Sequence, residues 1–214
     1  RRYRASLVPS KCLRHSWPAR SWTAGLAASG HRRFVFRSDN EPSLVALKAQ
    51  IGSKLRAGHG AETAPEESGV GDSQGNGLAE LAVHEVKSKA RTIRSATEAL
   101  HDAPIGLTHA CLPWLIEYAA MIVNLGRRGA DGRTAWELRH GRPFQRPPPP
   151  FGEAVRYLPG GKCKSTVQDK FEKGLYLGPT LRTEEVYIGA ALGALRARAL
   201  KRSPPGHSSS AKKS

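Results

Sequence analysis

Residues 34–44 read Phe34-Val35-Phe36-Arg37-Ser38-Asp39-Asn40-Glu41-Pro42-Ser43-Leu44, and their order decides the fold class. Phe34-Val35-Phe36 is a short run of strand-favouring residues. Arg37-Ser38-Asp39-Asn40 is a turn-type cluster that ends it. Pro42 suits the first turn of a helix. Leu44, Leu47, Lys48, Ile51 and Leu55 then recur at helical spacing until Gly58. A strand feeding a helix, with an Asp at the junction, predicts an α/β fold, and such junctions are where these folds place chemistry.

Downstream, residues 58–77 read as a loop with a short strand near Ala61–Ala64, and glycines 69, 71, 75 and 77 loosen its later part. The clearest helix follows over Leu78–Leu100. Its apolar positions Ala79, Ala82, Val83, Val86, Ala90, Ile93, Thr97 and Leu100 share one stripe about 100° wide. A further helix is predicted over Leu112–Leu125, closed by Gly126, with Arg127 and Arg128 neutralising its C-terminal end. Thr134–His140 forms another short helical turn. Pro147–Pro150 impose an extended spacer and mark a domain boundary. Beyond it the pattern changes to short strands at Ala154–Leu158, Gly174–Leu177, Glu185–Ile188 and Ala194–Leu200, which predict a small β-barrel or meander over residues 151–200.

The chain has 214 residues and a net charge of +16. The charge is unevenly spread. Residues 1–38 hold nine Lys/Arg and no acid, residues 39–100 hold seven bases against nine acids, and residues 201–214 hold four bases and no acid. Basic ends point to a polyanion, most simply nucleic acid. Residues 1–33 show no helical or strand period and read as a disordered basic extension, as do residues 201–214 at the other end. No apolar run approaches the length of a membrane-spanning helix, so no membrane partner is expected. Cys12, Cys111 and Cys163 form no metal-binding spacing and no disulfide framework, and a reducing compartment is the expectation.

Two carboxylates stand out. Asp39 ends the first strand, and Glu80 lies in the first predicted turn of the long helix, where the helix dipole favours its charged form. Their ordinary roles are a helix cap and a helix-start charge. Brought together they would repel unless a cation lay between them, and oxygen ligands suit Mg²⁺ or Mn²⁺. Glu80, His84, Lys87, Arg91 and Arg94 step by 4, 3, 4 and 3 and fall within about 40° either side of one line along the helix. That line places phosphate-binding groups beside an acid; its plain alternative is a solvated helix face.

The same residues carry a resemblance. Phe36-Arg37-Ser38-Asp39-Asn40 is similar to the "RSDN" strand-end motif of the retroviral-type integrase region of Copia-like retrotransposon polyproteins. Gln74-Gly75-Asn76-Gly77-Leu78-Ala79-Glu80 resembles the family's "Q-x-NG-V-A-E" motif, and the helix after it resembles the DNA-contacting helix. Asp131–Glu137 resembles its "G-x-T-P-Y-E" segment, and Lys173-Gly174-Leu175-Tyr176-Leu177-Gly178 its "K-x-G-x-F-L-G" signature. These motifs stand in family order across residues 34–200.

The resemblance implies an incomplete ribonuclease H-like integrase core at residues 34–146, then the small β module. It implies Asp39 and Glu80 as catalytic metal ligands for Mg²⁺ or Mn²⁺. Two such metals, ~4 Å apart, would drive phosphoryl transfer that joins DNA ends to a target. It also implies Lys87 at a DNA-contacting position, His84 where many members carry Lys, and assembly as a homo-oligomer or with a complete integrase.

The departures are equally concrete. The family's remaining catalytic Asp lies upstream of the position matched by Asp39, and residues 1–38 contain no acid. The expectation is therefore a partial or decayed integrase, inactive alone, that binds DNA with little sequence preference. A non-enzymatic nucleic-acid binder is the alternative. A nucleophile at Cys111 lacks an evident base, and paired carboxylates acting on a neutral sugar fit poorly with the basic stripe. Trp114, Tyr118 and Trp136 read as core residues rather than base-stacking platforms.

Overall fold

The computed structural model describes residues 17–38, 41–67, 73–145, 147–160, 170–180 and 185–202. These form a mixed α/β protein: α1 (Trp17–Ala27), β1 (Arg33–Ser38), α2 (Pro42–His59), β2 (Glu62–Glu67), α3 (Ser73–His101), α4 (Leu112–Gly126), α5 (Ala135–His140), then β3 (Ala154–Tyr157), β4 (Glu172–Pro179), β5 (Val186–Ala190), β6 (Gly193–Ala197) and β7 (Leu200–Arg202). The described residues fall into two compact units. The first comprises those up to Lys89 with Ala119–Pro143; the second comprises Ala90–Tyr118 with those from Phe144 onward. Within the second unit Tyr118 Oη donates to the Pro149 carbonyl at 2.8 Å, which fastens the proline run to α4.

In the first unit β1, α2 and β2 make a parallel crossover, with Arg33 opposite Glu62 and continuous register to Ser38 opposite Glu67. Pro42 opens α2, and Gly60 closes it at φ 59°, its N–H donating to the Arg56 carbonyl and the next N–H, of Ala61, to the Leu55 carbonyl. A Cβ on Gly52 would lie 2.8 Å from Thr63 Oγ1, so only glycine allows α2 to approach β2 this closely. Ile51 and Leu55 of α2 are buried with Ala19 and Ala61, and Phe34 and Phe36 of β1 pack against this cluster.

α1 corrects the sequence reading, which found no period in residues 1–33. Ala19, Trp22, Thr23, Leu26 and Ala27 recur at i, i+3, i+4, i+7 and i+8. Ala19 and Thr23 are buried, and Trp22, Leu26 and Ala27 pack against the Leu55 cluster. The stripe is made largely of Ala and Thr, so hydropathy alone does not register it. The Thr23 hydroxyl returns a 2.7 Å hydrogen bond to the Ala19 carbonyl, which lets a polar residue sit in this seam.

The second unit holds a five-stranded antiparallel sheet in the order β6-β5-β4-β3-β7. β3 to β6 form a meander, and β7 returns beside β3. Val155, Tyr157, Tyr176 and Ile188 are buried, and Tyr118 of α4 meets the rings of Phe151 and Tyr176 at 5.6 and 6.2 Å. Only Arg198 and Ala199 separate β6 from β7, yet these strands hold opposite edges. Flat, the edges would stand roughly 19 Å apart, whereas three Cα–Cα steps span at most about 11 Å. The sheet is therefore rolled. β6 and β7 do not pair, so the barrel expected as one option is not closed.

Candidate nucleic-acid interface

Asp39 lies outside the described residues. Glu80 is exposed on α3, but not at its start: the helix begins at Ser73, and its first turn holds no acid. This corrects the predicted helix boundary at Leu78. The helix runs through Gly75 and Gly77, each costing about 1 kcal/mol relative to alanine. Glu80 is thereby carried beyond the turn where the helix dipole acts.

His84, Lys87 and Arg91 are exposed, and their side chains make no hydrogen bond or ion pair among the described residues. Glu80, His84 and Lys87 belong to the part of α3 in the first unit, Arg91 and Arg94 to the part in the second. Arg94 is differently placed. Its Nε donates to Glu98 Oε1 at 2.9 Å, and the same carboxylate oxygen accepts the Ile105 N–H at 2.8 Å. These bonds, the Ile105 amide foremost, hold the Glu98 carboxyl below its usual range. Arg94 is thus engaged in fastening the α3–α4 connection.

Among the described residues no three His, Cys, Asp or Glu side chains gather as a metal site requires. Glu80 is exposed on the helix surface, and its candidate partner Asp39 is not among the described residues.

Sequence reasoning missed a set of cations on the rolled sheet. Arg156 of β3 is directly opposite Lys173 of β4 on one side and Lys201 of β7 on the other. All three are exposed, while their strand neighbours Val155 and Tyr157 point inward. The Lys201 ammonium also stands 4.5 Å over the Phe171 ring. Like charges set directly opposite one another destabilise a sheet by about 0.2–1 kcal/mol per pair. Nearby, Arg202 makes a bidentate contact with Glu153 at 2.7 and 2.8 Å, and Arg196 and Arg198 share Glu185 at 3.7 and 3.5 Å. The segments Val-Arg-Tyr, Glu-Lys-Gly and Leu-Lys-Arg each display their cation in sequence, but only the register aligns them.

Contacts between cations and phosphates position a polyanion without reading its bases. Cys111 is half-buried, and burial pushes its thiol up. His109 Nδ1 lies 3.0 Å from its sulfur, the base that sequence reasoning did not place, but the raised thiol makes a poor nucleophile. Trp114, half-buried, packs on Tyr187 with ring centres 4.7 Å apart.

No family model matches the chain. No curated protein matches it either. Among solved structures it is similar to a chain in the cryo-EM structure of the simian T-cell lymphotropic virus intasome in complex with PP2A regulatory subunit B56 gamma. That likeness has a TM-score of 0.42 and 14% identity and covers 88% of this chain and 64% of that one. Among the described residues no helix is long and apolar enough to cross a membrane.

Proposed function

We propose that the chain is an integrase-like DNA-binding fragment of a retrotransposon polyprotein, with a ribonuclease H-like core as its ancestry. The observation that carries the DNA-binding part is the Lys201–Arg156–Lys173 row. Three exposed cations set side by side on neighbouring strands present a concentrated positive charge that a phosphate backbone would meet. The exposed His84, Lys87 and Arg91 of α3 support the same reading, as do the integrase-like motifs around Asp39 and Glu80.

Asp39 and Glu80 are proposed as the remaining metal ligands, for Mg²⁺ or Mn²⁺. With no acid among residues 1–38, strand transfer is not expected of residues 1–214 alone, and assembly with a complete integrase would supply what is missing. That same observation favours a second reading, a nucleic-acid binder without catalysis.

The test is a competition assay on duplexes of unrelated sequence, run with the full chain and with the triple variant Arg156→Ala, Lys173→Ala, Lys201→Ala. Similar affinity for all duplexes, and a uniform loss in the variant, is the expected result. Undiminished binding by the variant would remove the observation on which the proposal rests. In parallel, Mn²⁺ binding lost in Glu80→Gln would favour the integrase reading over the non-enzymatic one.

A further inference from the structure

One end of the rolled sheet holds a cavity. The end of β3, the start of β4 and the β5–β6 hairpin surround about 540 Å³, within the range of small-ligand sites. Its wall is mostly apolar. Tyr157 is buried, Leu195 lies opposite the buried Ile188, and Leu192, fully exposed at the hairpin turn, extends the apolar wall outward. Two polar groups reach the same cavity. Tyr157 Oη donates to Glu172 Oε2 at 2.7 Å, which fixes the carboxylate, and among the described residues Oε1 has no partner. Lys173 lines the cavity and is also one end of the cation row; among the described residues its ammonium has no acidic partner. Arg196, at the same mouth, is engaged with Glu185 at 3.7 Å.

A ligand that meets these groups together has an anion for Lys173, a flat apolar body for the wall and an N–H donor for Glu172. We propose that the mouth takes an unpaired base of a nucleic-acid strand whose phosphates lie along the Lys201–Arg156–Lys173 row. The proposal rests on the nucleic-acid reading above and adds a substrate class to it: strands with an unpaired base rather than continuous duplex. A base inside a duplex is stacked and paired and cannot enter a cavity without being extruded, at a cost of a few kcal/mol. Cytosine suits the mouth better than thymine, because its N4 amine donates to a carboxylate where thymine presents the O4 acceptor. An apolar side chain of a partner protein is a poorer occupant: it would fill the wall but leave Glu172 Oε1 and Lys173 unmet.

The experiment uses the full chain and one duplex in three forms: flush, with an unpaired cytidine at one end, and with an unpaired thymidine there. The cytidine form is expected to bind about tenfold more tightly than the flush one, the scale of one sequestered base, with the thymidine form between them. Leu192→Ser changes a fully exposed turn residue and should shrink this advantage while leaving flush-duplex affinity unchanged. Glu172→Gln keeps an acceptor for Tyr157 and should narrow the gap between cytidine and thymidine. With 2-aminopurine as the unpaired base, emission should change on binding to the unaltered chain and less with Leu192→Ser. Equal affinity for all three forms, or an advantage that survives both substitutions in full, would overturn the proposal and leave the mouth to a protein side chain. Binding to none of the forms would overturn the nucleic-acid reading, and this proposal with it.

Discussion

The two sheets of this protein solve one problem in opposite ways. The rolled sheet of the second unit has short, mostly local antiparallel connections and buries Val155, Tyr157, Tyr176 and Ile188. The β1–β2 pair is parallel, needs the whole of α2 to cross between its strands, and buries apolar surface only where α2 and α1 cover it. A two-stranded sheet is marginal by itself, so helices support the first, while rolling supports the second. The outcome differs accordingly: among the described residues β1 pairs only with β2, while the rolled sheet sets Arg156 between Lys173 and Lys201 on neighbouring strands.

Breaking this comparison starts with the cores. Ile188→Ala in the rolled sheet and Leu55→Ala under the parallel pair each remove a fully buried side chain and should cost about 2–5 kcal/mol. If the two sheets are supported as described, amide exchange in β4 should respond to the first change and exchange in β1 to the second. Equal effects of Leu55→Ala and of an exposed α2 substitution such as Val45→Ala would show that α2 does not support the parallel pair.

A smaller effect tests how the second unit is fastened. Gly152 has φ 77°, and a Cβ there would lie 2.8 Å from Thr97 Cγ2. His101 Nε2 is 2.8 Å from its carbonyl. Gly152→Ala should therefore destabilise by about 1–3 kcal/mol, through both backbone conformation and crowding, measurable by chemical denaturation. An unchanged midpoint would mean that the 151–152 turn is not held against α3.

The smallest expected effect is electrostatic. The Glu98 carboxyl is held below its ordinary value by the Ile105 amide and Arg94. A depressed carboxyl stabilises the fold above its unfolded pKa, and that contribution fades as pH falls below about 4.5 through the folded value. Glu98→Gln should flatten this acid limb of the melting temperature. An identical limb in both proteins would assign acid sensitivity elsewhere.

What the sequence displayed and what it withheld follow physical lines. α2, α4 and α5 were legible because apolar spacing and terminators agree, as at Pro42, Gly126 and the Thr134–Glu137 capping box. α1 was not, because its seam of Ala19, Trp22, Thr23, Leu26 and Ala27 holds small and polar residues among its apolar ones and so carries a weak period. The start of α3 was misread because Gly75 and Gly77 signal a loop, and local preference lost to helix continuation. Of the candidate site, the α3 cations were visible as a stripe, and the i,i+4 spacing of Arg94 and Glu98 already permits their pairing, whereas the Ile105 amide on the same carboxylate comes from beyond the helix. The Lys201–Arg156–Lys173 row was invisible, since cross-strand register is a long-range property.

The central claim, that aligned cations on the rolled sheet hold the nucleic-acid backbone, is tested most directly by the salt dependence of duplex affinity. Each phosphate neutralised contributes about one unit to the slope of log K against log salt. The account predicts that Arg156→Ala, Lys173→Ala, Lys201→Ala lowers the slope by roughly two to three units, and Lys87→Ala with Arg91→Ala by about one to two, with Arg94→Ala adding little. A full slope in the sheet variant, lost instead on deleting residues 203–214, would contradict it and assign the attraction for DNA to the basic tail.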